Sequence, residues 1–175
     1  MTRALVVFES MYGNTEAIAR AIADGLATGV PVDVVEVGAA PSTPGDDVDL
    51  LVVGGPTHAF GMTRASTRRD AATKAEGALV SRGPGVREWL AALPARPGLR
   101  AAAFDTRVGH PRVPGSAARA IRRRLRRGGA IAVDGPHSFY VEGTDGPLSP
   151  GELERARAWG TALAAAAAVP AGGGS

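Results

Sequence analysis

Near the N-terminus, Val7-Phe8-Glu9-Ser10-Met11-Tyr12-Gly13-Asn14-Thr15-Glu16-Ala17-Ile18-Ala19 changes character twice within a few residues. Its apolar start closes the run Ala4–Phe8, which has no polar alternation and reads as a strand buried on both faces. From Asn14 to Leu26 the apolar residues Ile18, Ile22 and Leu26 recur every four positions, as on one helix face. Asn14 or Thr15 is placed to cap that helix, Glu16 suits its positive end, and Gly29 and Pro31 stop it. Between strand and helix lies a short loop of hydroxyls and glycine. Backbone N–H groups and the helix dipole converge at such a junction, which favours an anion. Ser10 and Thr15 add hydroxyl donors, and Gly13 allows close approach of the backbone. Neither G-x-x-x-x-G-K-[ST] nor G-x-G-x-x-G is present here, so a phosphomonoester fits better than a polyphosphate. Taken alone, the same residues fit a plain turn with hydroxyl caps equally well.

Working outward, Val32–Val37 and Asp49–Val53 read as the next two strands. Val86, Leu90 and Leu93 mark a short helix that Pro94 stops, and Leu99–Phe104 is a fourth strand. Ser116–Arg127 is a helix with Ile121 and Leu125 inward and Gly128-Gly129 as its stop. Ala130–Val133 begins a fifth strand, which Ser138–Val141 continues after the Gly135-Pro136 break. Ser149-Pro150-Gly151-Glu152 reads as a capping box opening the last helix, with a stripe of Leu153, Ala156, Gly160 and Leu163. From Ala164 the chain is rich in Ala and Gly and is expected to fray. The expected division is one domain over residues 1–165 and a flexible tail over 166–175. Alternating strands and helices predict an α/β fold: a parallel sheet between two helical layers. Residues 61–85 show no clear period and read as a long loop containing Arg64, Ser66, Thr67, Arg68 and Arg69. Such a loop suits a lid, a partner surface, a site for an acidic substrate, or mobile surface chain.

The 175 residues make one domain of ordinary size. They include 34 Ala and 24 Gly, so a third of the chain has almost no side chain. The absence of Cys excludes disulfides, thiolate metal sites, iron–sulfur clusters and a cysteine nucleophile. No apolar run approaches a membrane span, and Ala4–Phe8 is too short for a signal peptide. A soluble, cytoplasmic protein is expected. The net charge of +3 conceals an uneven distribution: residues 1–60 carry 2 basic and 8 acidic side chains, residues 61–130 carry 16 and 4, and residues 131–175 carry 2 and 5. Of the basic residues 19 are Arg and only Lys74 is Lys.

In a doubly wound sheet, ligands lie beyond the carboxyl ends of the strands. After the third strand come Gly54-Gly55-Pro56-Thr57-His58-Ala59-Phe60-Gly61, a tight loop whose His58 and Phe60 offer flat rings. After the fourth come Asp105-Thr106-Arg107-Val108-Gly109-His110. With the first loop, this arrangement resembles the flavodoxin family over about residues 3–165. The most specific match is Val7–Ala19: apolar strand, Ser/Thr loop, Gly-x-Thr, then a helix with Ala and Ile.

The resemblance implies a five-stranded parallel sheet of order 2-1-3-4-5 in a three-layer α/β/α sandwich, with FMN bound non-covalently for electron transfer. By position, Ser10, Met11, Tyr12, Gly13, Asn14 and Thr15 would hold the phosphate. Pro56, Thr57, His58, Ala59, Phe60 and Gly61 would hold one side of the isoalloxazine, and Asp105, Thr106, Arg107, Val108 and Gly109 the other. In the family a small-residue peptide after the third strand can turn toward N5 on reduction, which points to Ala59–Gly61. The third of these loops departs from the family in having no Tyr or Trp, leaving Arg107 or His110 to cover that face. A cation near N1 should raise the potential, against very low-potential transfer. Two other readings are open: an FMN-dependent NAD(P)H:quinone-type reductase, with Arg64, Arg68 and Arg107 toward the donor, and a flavin-free binding module. A receiver domain is not expected, because Val53-Gly54 stands where a phosphorylatable Asp would end the third strand.

Arg119, Arg122, Arg123, Arg124, Arg126 and Arg127 surround Ile121 and Leu125 on the fourth predicted helix. They read as a solvated face or as a docking patch for an acidic redox partner. Without interleaved aromatics, nucleic acid is not expected to bind there. His58, His110 and His137 lack tight spacing and carboxylate companions, so no metal site is expected. No side chain is needed as acid, base or nucleophile.

Overall fold

The computed structural model describes residues 3–75, 77–111 and 114–170. In chain order it contains β1 (Arg3–Phe8), α1 (Asn14–Leu26), β2 (Val32–Glu36), β3 (Val48–Pro56), α2 (Ala65–Lys74) and α3 (Val86–Ala92). Then follow β4 (Arg100–Val108), α4 (Ala117–Arg127), β5 (Ile131–Ala132), β6 (His137–Val141) and α5 (Glu152–Ala168). The paired strands are all parallel, in the order β2-β1-β3-β4-β5, with β6 also beside β4. The fifth position is therefore one strand broken in two. Its first part pairs with Arg100 and Ala101, and its second with Phe104–Val108.

Two apolar layers cover the sheet. Ile18, Ile22 and Leu26 of α1 and Trp159 and Leu163 of α5 pack on one face. Val86 and Leu90 of α3 and Ile121 and Leu125 of α4 pack on the other. Helix α1 occupies the predicted residues, since its stripe is its buried face. Small residues set the α1–α5 approach: a Cβ on Gly25 would lie 2.0 Å from the Arg157 carbonyl oxygen, and one on Gly160 would lie 2.1 Å from that of Ile22.

Several expectations need correction. Residues 61–85 are not one loop, because α2 lies within them. Only Ala71 of α2 is buried, so it lacks the apolar stripe that announces a helix. Strands β3 and β4 run further than predicted: Gly54, Gly55 and Pro56 pair with Phe104, Asp105 and Thr106. Gly54 is required there because a Cβ would lie 2.1 Å from the Phe104 ring. Asp105–Val108 are consequently strand rather than loop. The Ser149 capping box does not form. Helix α5 starts at Glu152 after Gly151, and the Glu152 carboxylate accepts hydrogen bonds from the Tyr140 amide (2.8 Å) and from Arg155 (2.6 Å). Trp159 is in its buried stripe, whereas Leu153 is exposed. Nor does α5 fray from Ala164: Ala164 and Ala167 are buried, and the Arg100 guanidinium binds the carbonyls of Ala167 and Val169. The expected tail beyond residue 170 lies outside the described residues.

Candidate functional site

Strand β1 delivers the chain into Glu9–Gly13 at its carboxyl end. Gly13 precedes α1 with φ +94°, in the left-handed region that glycine enters without strain. The expected caps are occupied elsewhere. Asn14 donates its side-chain Nδ2–H to Asp145 O (3.1 Å), and the Thr15 hydroxyl meets the Thr106 hydroxyl at 2.7 Å. The loop is braced from outside by residues 80–81. Ser10 N–H donates to Ser81 Oγ (3.0 Å), Ser81 N–H to Ser10 O (2.7 Å), and Val80 N–H to Met11 O (3.1 Å). Gly13 N–H donates to Ser10 Oγ at 3.1 Å. The N–H groups of Met11, Tyr12, Asn14 and Thr15 have no acceptor among the described residues. Four free donors at a helix N-terminus form an anion cradle.

A cavity of about 340 Å³ opens over this loop. Of the predicted residues it gathers Ser10, Met11, Tyr12, Asn14 and Thr15, then Pro56, Thr57, His58 and Ala59, then Thr106, Arg107 and Val108. Gly13, Phe60, Gly61, Asp105 and Gly109 do not line it. Asp105 is fully buried and serves α4 instead. Its Oδ2 accepts from Thr57 Oγ1 (3.0 Å), the Ser116 hydroxyl (2.6 Å) and the Ala118 amide (3.0 Å). It thereby fixes the turn after β3 against the start of α4. Gly109 lies against Tyr140.

His58 and Gly61 exchange backbone hydrogen bonds across a tight turn (2.8 and 3.0 Å). The turn puts Ala59 at φ 44° and Phe60 at φ 75°, both left-handed. Each such non-glycine residue costs about 1–2 kcal/mol. Phe60 projects outward, 60% exposed, so the rings that line the cavity are His58 and Tyr12. Burial, with the nearby Arg68 charge, lowers the His58 pKa from 6.5, which favours a neutral ring at pH 7.

Sequence reasoning missed Thr67, Asp70, Ala71 and Lys74 of α2, and Val141 and Thr144 beyond it, which complete the cavity wall. The one local signal for α2 is the bond of the Thr67 hydroxyl with the Arg64 amide (2.9 Å) at its start. Arg68 is not turned toward a ligand: it pairs with Glu88 (2.5 Å) and donates to Thr63 Oγ1 (2.9 Å).

Glu9, next to the anion loop, points away from it. Its carboxyl accepts from Thr63 Oγ1 (2.5 Å) and Val86 N–H (2.8 Å). Burial raises its pKa above the usual 4.5, and Thr63, Val86 and Arg68 offset part of that. A raised folded value contributes stability that is present below about 4.5 and lost as pH rises through the folded value. Glu9→Gln is therefore expected to flatten the fall in urea midpoint over that window, measured in a pH series. An unchanged slope in the variant would contradict the assignment.

Among the described residues, no group of three or more His, Asp or Glu is placed to hold a metal ion. His137 stacks on Trp159 at 4.3 Å and does not line the cavity that His58 lines. No helix in the described residues is long and apolar enough to cross a membrane.

A parallel doubly wound sheet with a phosphate-type cradle after its first strand and a ring-lined cavity at its carboxyl edge defines an α/β protein built to bind a mononucleotide. The flavodoxin family model matches residues 6–159, and the chain belongs to the flavodoxin family. Members bind FMN and use it to transfer electrons, so FMN is the cofactor of this flavodoxin-like chain. A flavodoxin from the domain Archaea is 20% identical, with TM-score 0.66, over 94% of this chain and 98% of that one. Flavodoxin 1 from Bacillus cereus is 18% identical, with TM-score 0.65, over 90% and 94%. The flavodoxin of Streptococcus pneumonia TIGR4 is 22% identical, with TM-score 0.64, over 93% and 97%. None of the curated proteins matches the chain.

Proposed function

We propose that this chain is an electron carrier that exchanges electrons with a partner protein in the cytoplasm, holding FMN in the cavity over β1, β3 and β4. The observation that carries the binding mode is the set of free N–H groups on Met11, Tyr12, Asn14 and Thr15. They suit the FMN phosphate, and Glu9, the carboxylate of the loop itself, is turned away from them to Thr63 and Val86. The cavity beyond is lined by the flat or apolar faces of Pro56, His58, Ala59, Val108 and Val141. Bound FMN supplies reversible one- and two-electron redox chemistry. The protein binds, orients and partly desolvates it. Thr15, Thr106 and Thr57 are locked by bonds to each other or to Asp105, so the donor set is preorganised. Arg107 also lines the cavity and donates to Gly115 O (2.7 Å), so its charge lies near the cofactor. That charge favours a reduced flavin anion and a higher potential.

The test is the visible spectrum of the purified protein with and without added FMN, followed by assays of NADH and NADPH oxidation with added quinone. A yellow protein with negligible turnover is the expected result. Rapid turnover would replace the carrier by a reductase. A protein that FMN cannot turn yellow would leave only a flavin-free module.

A further inference from the structure

Helix α4 has two unlike sides. Ala117, Ala118, Ile121 and Leu125 are buried, whereas Arg119, Arg122, Arg123, Arg126 and Arg127 follow at i, i+3, i+4, i+7 and i+8 on the opposite side. Like charges one turn apart destabilise a helix, and of this row only Arg126 and Arg127, in the last turn, gain from the helix dipole. Most arginines elsewhere have partners, Arg64 and Arg69 near the start of α2 being the exceptions among the described residues. Arg3, Arg20, Arg68, Arg155 and Arg157 are ion-paired, and Arg87, Arg96 and Arg100 bind carbonyls. The guanidinium groups of the five on α4 have no ion pair or hydrogen bond among the described residues. Composition alone does not explain why five of the uncompensated arginines share one face of a single helix.

That face is continuous with the cofactor site. An open cavity of about 690 Å³ is lined by the five arginines and Pro136. Arg119 and Pro136 also line a groove of about 330 Å³ with Arg107, Val108, Ser116 and Tyr140. Arg107 and Val108 in turn line the FMN cavity. Gly115, on the same groove, lies against exposed Phe60, placing an apolar ring at its rim. A basic track thus leads from the cofactor site along roughly 12 Å of helix, at 1.5 Å per residue.

We infer that the α4 arginine row, with Phe60 at its upper end, is the docking surface for an acidic redox-partner protein that lays a row of carboxylates on α4 and brings its redox centre over the FMN cavity. The inference rests on the electron-carrier reading. The charge is of one sign and is spread along a helix, which suits another protein's acidic face and steers its approach. An exposed aromatic beside charged residues is a common anchor of such interfaces. The arginine cavity has no aromatic wall on which a nucleobase could stack, which argues against nucleic acid.

The test uses the FMN-loaded protein with two probes, an acidic [2Fe–2S] ferredoxin and the basic cytochrome c. Rates of electron exchange are measured by stopped flow from about 0.02 to about 0.3 M salt, where screening tightens. The wild-type rate with ferredoxin is expected to fall steeply with salt. Arg122→Glu/Arg123→Glu/Arg126→Glu should lower it at least tenfold at low salt, and the matching Gln triple should lower it less. Neither triple should change FMN affinity, because these residues do not line that cavity. Exchange with cytochrome c should hold or rise in the Glu triple. Should the Glu triple fail to fold, the Gln triple and the salt series still decide. Unchanged ferredoxin rates in folded, flavin-loaded variants would overturn the inference and leave the carrier reading standing. So would charge-dependent binding seen only with duplex DNA or anionic vesicles. A wild-type protein that binds no FMN would overturn the carrier reading itself, and this inference with it.

Discussion

Replacing Thr15 by Val is expected to weaken FMN binding about ten- to a hundredfold, the loss of one well-placed hydrogen bond to a charged group. The substitution keeps the shape and the β-branch and removes only the hydroxyl. Thr15 is buried at the first turn of α1, it lines the cavity, and its N–H is one of the four free donors. Its hydroxyl also satisfies Thr106, itself buried, so the single variant leaves Thr106 without that partner. A stability loss of about 1–3 kcal/mol is expected from that alone. Thr106→Val and the double variant separate the two effects. The double variant should recover stability, since both partners of the 2.7 Å contact become apolar, yet its FMN affinity should stay low. Flavin fluorescence quenching reads the affinity and urea unfolding reads the stability. Full affinity in Thr15→Val would remove the hydroxyl from the phosphate cradle.

Gly160→Ala is expected to destabilise the protein by about 3 kcal/mol, although the same change at an open helical site would stabilise by about 1 kcal/mol. Geometry decides the sign. The added Cβ would lie 2.1 Å from Ile22 O and 2.9 Å from its carbonyl carbon, both backbone atoms of α1. Neither can move without separating the helices, and both helices anchor one face of the core. Gly25→Ala should behave alike, against Arg157 O at 2.0 Å. By contrast, Gly143→Ala is expected to change little, since its nearest neighbour would be 3.5 Å away. Urea unfolding of the three variants checks the order, and equal stabilities would show that the helices can separate freely.

Strong local patterns were legible. The continuous apolar runs became β1 and β3, and the Ile18–Ile22–Leu26 stripe became the buried face of α1. The cavity gathers residues from all three predicted loops, because parallel strands end on one edge of the sheet. What failed had no local signature. Helix α2 buries only Ala71, so its apolar spacing says nothing, yet it brings Thr67, Asp70 and Lys74 to the cavity. Phe60 reads as a ring-stacking residue, but the turn at Ala59-Phe60 carries it outward and leaves His58 inside.

Capping and strand ends were decided by partners distant in sequence. Asn14 and Thr15 read as caps, but Asp145 and Thr106 take their side chains, and Gly13 opens the helix. Asp105 reads as a loop residue beside the flavin; pairing with Ser138 makes it strand, and Ser116 and Ala118 turn its carboxylate to α4. The sequence by itself determined the alternation of strands and helices and a strand-to-helix junction suited to an anion, because these follow from periodicity and from residues adjacent in the chain; the cofactor followed from the resemblance to the flavodoxin family. Only the tertiary structure decided which side chains face the cavity and that the α4 arginines run continuously from it. Those facts depend on contacts between segments tens of residues apart, whose relative placement no local pattern encodes.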